Sequence, residues 1–135
     1  MKDISTNCWP DFFPAEMELP PSDSQDAEGT VYRLVNTIPP TEACFLATHQ
    51  MQPTRHEKCD TLEKKQAVYG VNVWDNKELL LEAMAFLPNG LGQRKLARGE
   101  ISASMGKMRK TLEPGHLTLW LKINSNIHLN FSEVK

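Results

Sequence analysis

The chain has 135 residues, 40% of them hydrophobic and 24% charged, with a net charge of −2, which is the make-up of one soluble globular domain able to bury its own core. No apolar run reaches the length of a membrane span, and three cysteines (Cys8, Cys44, Cys59) without a C-x-x-C pair argue against a disulfide framework. The first residues, "MKDISTNCWPDFF", lack a basic region followed by a long apolar stretch, so a cytoplasmic location is expected.

Charge divides the chain in two. Residues 1–28 carry seven acids and one base, a net of −6, whereas residues 29–135 carry a net of +4. The first part is expected to be an extended arm: Pro10, Pro14, Pro20 and Pro21 oppose helix and central strand. Trp9, Phe12, Phe13, Met17 and Leu19 are too apolar for a disordered tail. These aromatics are expected to dock on a single domain spanning 29–135.

"GTVYRLVN" opens that domain as a strand, placing Arg33 on one face with Val31 and Val35. Thr41 caps an expected helix reaching His49, and the polar stretch 51–66 reads as a long loop. "AVYGVNVW" (67–74) reads as a second strand. Asp75 and Glu78 then start the clearest helix, with Leu80, Ala83, Met84 and Leu87 at amphipathic spacing and a stop at Pro88, Asn89 and Gly90. Residues 94–102 form another strand, and 105–112 are ambiguous. "HLTLWLKI" and "IHLNF" read as a hairpin joined by Asn124, Ser125 and Asn126. The order implies an α+β domain: a mainly antiparallel sheet with two helices packed on one face and an extended N-terminal arm.

Arg33 raises the first functional question. A guanidinium among valines is either snorkelling or paired structurally, or it offers a planar fork to a phosphate or carboxylate. His116 and Trp120 share one face of the strand at 116–123. If the leucine face packs on the helices, that pair forms an exposed contact surface, unless the arm covers it. Cys44, His49, His56 and Cys59 lie within sixteen residues, but their C-x4-H-x6-H-x2-C spacing matches no common zinc finger. They read as a buried cysteine and two solvated loop histidines, with no metal favoured. The cluster Arg94, Lys95, Arg98, Lys107, Arg109 and Lys110 suits nucleic-acid phosphates or a counter-surface for the acidic arm. Without interleaved aromatics, the second reading needs fewer assumptions.

"CWPDF", "VYRLV" followed by "PPT", "YGVNVW", "LARGEI" and "GHLTLW" resemble a pattern in small bacterial proteins. That resemblance covers most of the chain and implies no particular activity. In element order the chain also resembles ADP-ribosyltransferase-like domains. That likeness implies NAD as cofactor, Arg33 as its phosphate clamp, Asn72 where a serine or threonine is usual, and Glu100 as catalytic carboxylate. The residues themselves favour a non-catalytic binding or accessory protein without a cofactor. Its surface would lie around Arg33, Asn72, His116 and Trp120, and its partner would be a protein rather than nucleic acid or membrane.

Overall fold

The computed structural model describes residues 9–86 and 92–134. Cys8, Leu87 and the expected helix stop at Pro88–Gly90 lie outside them. Within them the chain forms an α+β domain around one seven-stranded sheet. The strands are β1 (Gln25–Asp26), β2 (Gly29–Val35), β3 (Val71–Trp74), β4 (Lys95–Ile101), β5 (Gly106–Lys110), β6 (His116–Leu121) and β7 (Phe131–Glu133). Their spatial order is β1-β5-β6-β3-β2-β4-β7, and every pairing is antiparallel. Two- and three-residue strands form both edges, which leaves little ladder open to another chain.

Residues opposite one another share a face. One face carries Val31, Val35, Val71, Val73, Ala97, Met108, Leu117 and Leu119, which form the main core with Cys44, Phe45, Ile127 and Phe131. The other carries Tyr32, Trp74, Arg98, Arg109, His116, Thr118 and Trp120. The leucine face is therefore closed by 3-10 turns at Glu42–Phe45 and Ile127–Asn130. It is not closed by the regular helices.

Three local readings of the sequence are corrected. The expected helix from Thr41 to His49 is a 3-10 turn followed by the short helix α1 (Thr48–Met51). A continuous helix would pair the carbonyl of Cys44 with the amide of Thr48. Instead that carbonyl accepts from Arg33 Nε at 2.7 Å, and that amide donates to Gly70 O at 3.2 Å. The expected loop at 51–66 contains a 3-10 turn at Arg55–Lys58 and most of helix α2 (Leu62–Val68), so β3 starts at Val71 rather than at Ala67. Thr61 caps α2 by accepting from Lys64 N. Only Gln66 and Val68 of α2 are buried, so the helix leaves no apolar period to read.

The expected C-terminal hairpin does not form. β6 lies between β3 and β5, whereas β7 pairs with β4 at the far edge. Asn124 and Asn126 adopt left-handed conformations, with φ of 61° and 54°, and turn the chain away from β6. Phe131 then packs on Phe45, ring centroids 4.8 Å apart. Its ring lies over Gly99, where an added Cβ would collide with it.

Helix α3 (Lys77–Ala85) forms where its apolar stripe places it, but its cap moves from the expected Asp75 to the next residue. It is capped by Asn76, whose Oδ1 accepts from Leu79 N at 2.9 Å, and it buries Leu80.

Candidate functional site

Arg33 holds the sheet together where two strands part. β2 and β3 share one register pair, Tyr32 with Trp74. Beyond it the carbonyl of Asn72 accepts from Arg33 Nη1 at 2.6 Å, while Arg33 Nε donates to Cys44 O. The guanidinium also lies over the Phe45 ring, 5.7 Å from its centroid. Burial lowers its pKa to about 10, leaving it charged at neutral pH. No carboxylate among the described residues is in ion-pair contact with it. Two backbone carbonyls and an aromatic face therefore engage this guanidinium through Nε and Nη1.

The thiol of Cys44, a 5% exposed residue, lies beside this arginine. Burial opposes its ionisation, but hydrogen bonds from the Thr41 backbone, the Thr37 hydroxyl, and the backbones of Asn36 and Thr37 outweigh burial and bring its pKa to about 7.

The opposite face is organised by Gln66, which the sequence did not single out. Its carbonyl accepts from the Trp120 indole at 3.0 Å, its Oε1 accepts from Arg109 Nη1 at 3.1 Å, and its Nε2 donates to Glu18 O of the arm. Trp120 is 0% exposed, so it is no contact surface. α2 and Arg109, whose guanidinium lies 5.2 Å from the Trp120 ring centroid, cover it in place of the arm aromatics. His116 is half-buried, with Nδ1 2.9 Å from Thr111 Oγ1 and its ring edge-on to Trp74. Burial lowers its pKa.

Arg33 and the pair His116/Trp120 therefore lie on opposite faces of the sheet and form no common surface. The same separation applies to Glu100, which pairs in register with Thr30 and accepts a hydrogen bond from its hydroxyl. The side chains of Asn72 and Glu100 share the Trp120 face, away from Arg33. The structure thus does not bring the side chains of Arg33, Asn72 and Glu100 together, and Arg33 reaches Asn72 only at its backbone carbonyl.

The basic cluster is contiguous in sequence but divided in space. Arg94, Lys95 and Arg98 lie on or beside β4, and Lys107, Arg109 and Lys110 lie on β5, four strand positions away. That is about 19 Å at the usual interstrand spacing. Lys107 pairs with Asp26 at 2.9 Å and Arg109 with Asp23 at 3.0 Å. The β5 half therefore serves as a counter-surface for acids of the first 28 residues.

No family model, curated protein or solved structure matches the chain. The candidate site rests on its own geometry.

That geometry includes a cleft of about 700 Å³ between the arm, the turn around Phe45, Tyr69 and the segment after β6. The arm forms one wall. Trp9 stacks on Phe13 with centroids 6.2 Å apart, and Phe12 meets Phe13 edge-on and His49 face-on at 5.9 Å. Lys122 Nζ lies 5.9 Å from the Trp9 centroid. Gln50 and His128 also line the cleft, and His128 Nδ1 is buried with no hydrogen-bond partner among the described residues.

His49 and His56 are not the solvated loop residues that the sequence suggested. Both are half-buried and pack around Tyr69. Cys44 belongs to the Arg33 site, and Cys59 Sγ donates to Arg55 O. No three His, Cys, Asp or Glu side chains among the described residues are placed to share a metal ion.

Proposed function

We propose that this is a non-catalytic binding protein that receives an apolar segment of a protein partner in the cleft beneath its N-terminal arm. The observation that carries this reading is the cleft itself. Its volume of about 700 Å³ falls in the usual range for ligand sites, and aromatic side chains dominate one wall. Aromatic anchors with a few polar groups at the rim are the usual composition of a recognition pocket. A protein partner suits it better than nucleic acid, because the basic residues are split and two are already paired with acids.

Site-specific photocrosslinking in the cells that make the protein tests this. A benzophenone amino acid replaces Phe13 in the cleft wall or Leu112, which is fully exposed. The expected result is one protein adduct from position 13 and none from 112, unchanged by Glu100→Gln. Equal labelling from both positions, or no adduct from position 13, overturns the reading.

A further inference from the structure

We propose that His49 and His56 form a two-imidazole site for a zinc or copper ion, independently of whether the cleft takes a partner. The two rings lie 6.2 Å apart between centroids, on different elements: α1 and the 3-10 turn Arg55–Lys58. The Nδ1 atoms of both are buried, with no hydrogen-bond partner among the described residues. An imidazole nitrogen withdrawn from water without a partner is costly, and a bound water or ion is a standard reason for such a cost to persist.

The separation suits an ion. Metal–nitrogen bonds of about 2.0–2.1 Å, with about 1.2 Å from each nitrogen to its ring centre, place two ligating imidazoles about 5.3 Å apart at a tetrahedral angle and about 6.4 Å apart when collinear. The observed 6.2 Å lies within that interval. Imidazole is a borderline ligand that suits zinc and copper over magnesium or calcium. The observed separation is close to the collinear limit and fits a near-linear cuprous ion as it stands, whereas a tetrahedral zinc ion, with water in its remaining positions, would draw the rings closer. The surroundings favour order in both rings. Tyr69 packs 4.8 Å from His49 and 6.3 Å from His56, and Phe12 covers His49 from the arm. Glu16 and Cys59 lie near enough to act on the Tyr69 hydroxyl, and Arg55 and Glu57 flank His56 in the 3-10 turn. A bound ion would fasten α1 to the Arg55–Lys58 turn.

The test uses the full chain, stripped with a chelator and titrated with zinc chloride alone, then with cuprous ion under anaerobic conditions, each against a chromophoric competitor. For at least one metal, one equivalent is expected to bind, with an affinity reduced about tenfold or more by His49→Gln or His56→Gln. Cys44→Ser should leave it unchanged. In the unmodified protein, nitrogen-15 imidazole signals of His49 and His56 should move together on metal addition while those of His116 and His128 stay in place. This second readout does not depend on how any variant folds. No uptake of either metal, uptake that survives both histidine changes, or shifts centred on His116 or His128 would overturn the proposal.

Discussion

Arg33 and Arg109 are both arginines on interior strands of one sheet, and each lies against an aromatic ring. Arg33 directs its donors at backbone carbonyls of Cys44 and Asn72, on the face closed by 3-10 turns. Arg109 directs its donors at Asp23, the Gln66 side chain and the Glu63 carbonyl, on the face closed by α2. The first arginine replaces missing ladder hydrogen bonds, and the second fastens an acidic segment and a helix to the sheet. The difference shows why equally placed cations leave unequal traces in a sequence. An acid-rich arm beside a basic body announces its partner by charge, whereas a backbone acceptor is the same at every residue.

The two regions should fail differently. Trp120→Ala should have the largest effect, removing a 0% exposed indole, leaving the carbonyl of Gln66 with only the Tyr69 amide as donor, and taking away the ring on which Arg109 stacks. A loss of about 3–5 kcal/mol is expected in urea unfolding. Arg33→Met keeps the apolar stem but leaves the carbonyls of Cys44 and Asn72 without their donor, and should cost about 1–3 kcal/mol. Arg33→Lys should recover only part of that loss, because an ammonium lacks the fork that spans both acceptors. Full recovery would show that charge alone suffices at this position.

Gln66→Leu sharpens the comparison on the other side. It spares the carbonyl that holds Trp120 but removes the amide contacts to Arg109 and Glu18. A loss of about 1–3 kcal/mol is expected, together with faster amide exchange in the arm. Asp23→Asn should do less, about 0–1 kcal/mol, because Asp23 is 69% exposed. Its effect should shrink further in high salt. An Asp23 effect as large as that of Gln66 would mean that charge, rather than the buried amide, fastens the arm.

These contacts also explain what was legible beforehand. The α+β class followed from the alternating faces of β2 and from the apolar stripe of α3, both short-range signals. The counter-surface for acidic residues followed from the charge asymmetry between residues 1–28 and the rest. Helix α2 was not legible because its buried positions include a glutamine, which pattern reading assigns to solvent. The placement of β7 was not legible either. Its apolar alternation fits β6 as a partner, and the choice of β4 depends on Gly99 accommodating the Phe131 ring and on two left-handed asparagines. The cleft escaped notice because its walls come from segments more than a hundred residues apart.

The finest distinction between the two regions is their response to pH. On the Arg33 side, Cys44 has its folded-state pKa lowered to about 7 from an ordinary value of 9.0. Between those values the folded chain carries a thiolate while the unfolded chain still binds the proton, so stability rises with pH across this window. It is lost as pH falls through about 7. The urea midpoint of the wild-type chain should therefore rise more from pH 7 to 9 than that of Cys44→Ser. On the Trp120 side, burial holds the His116 pKa below its ordinary 6.5. The unfolded chain protonates first as pH falls below that value, so His116 makes the fold less stable in acid. His116→Gln should flatten the acid limb and leave the slope between pH 7 and 9 intact, whereas Cys44→Ser should do the reverse. If either substitution changed both limbs, the two faces would be coupled through the sheet, and the separate roles assigned to Arg33 and Arg109 would fail together.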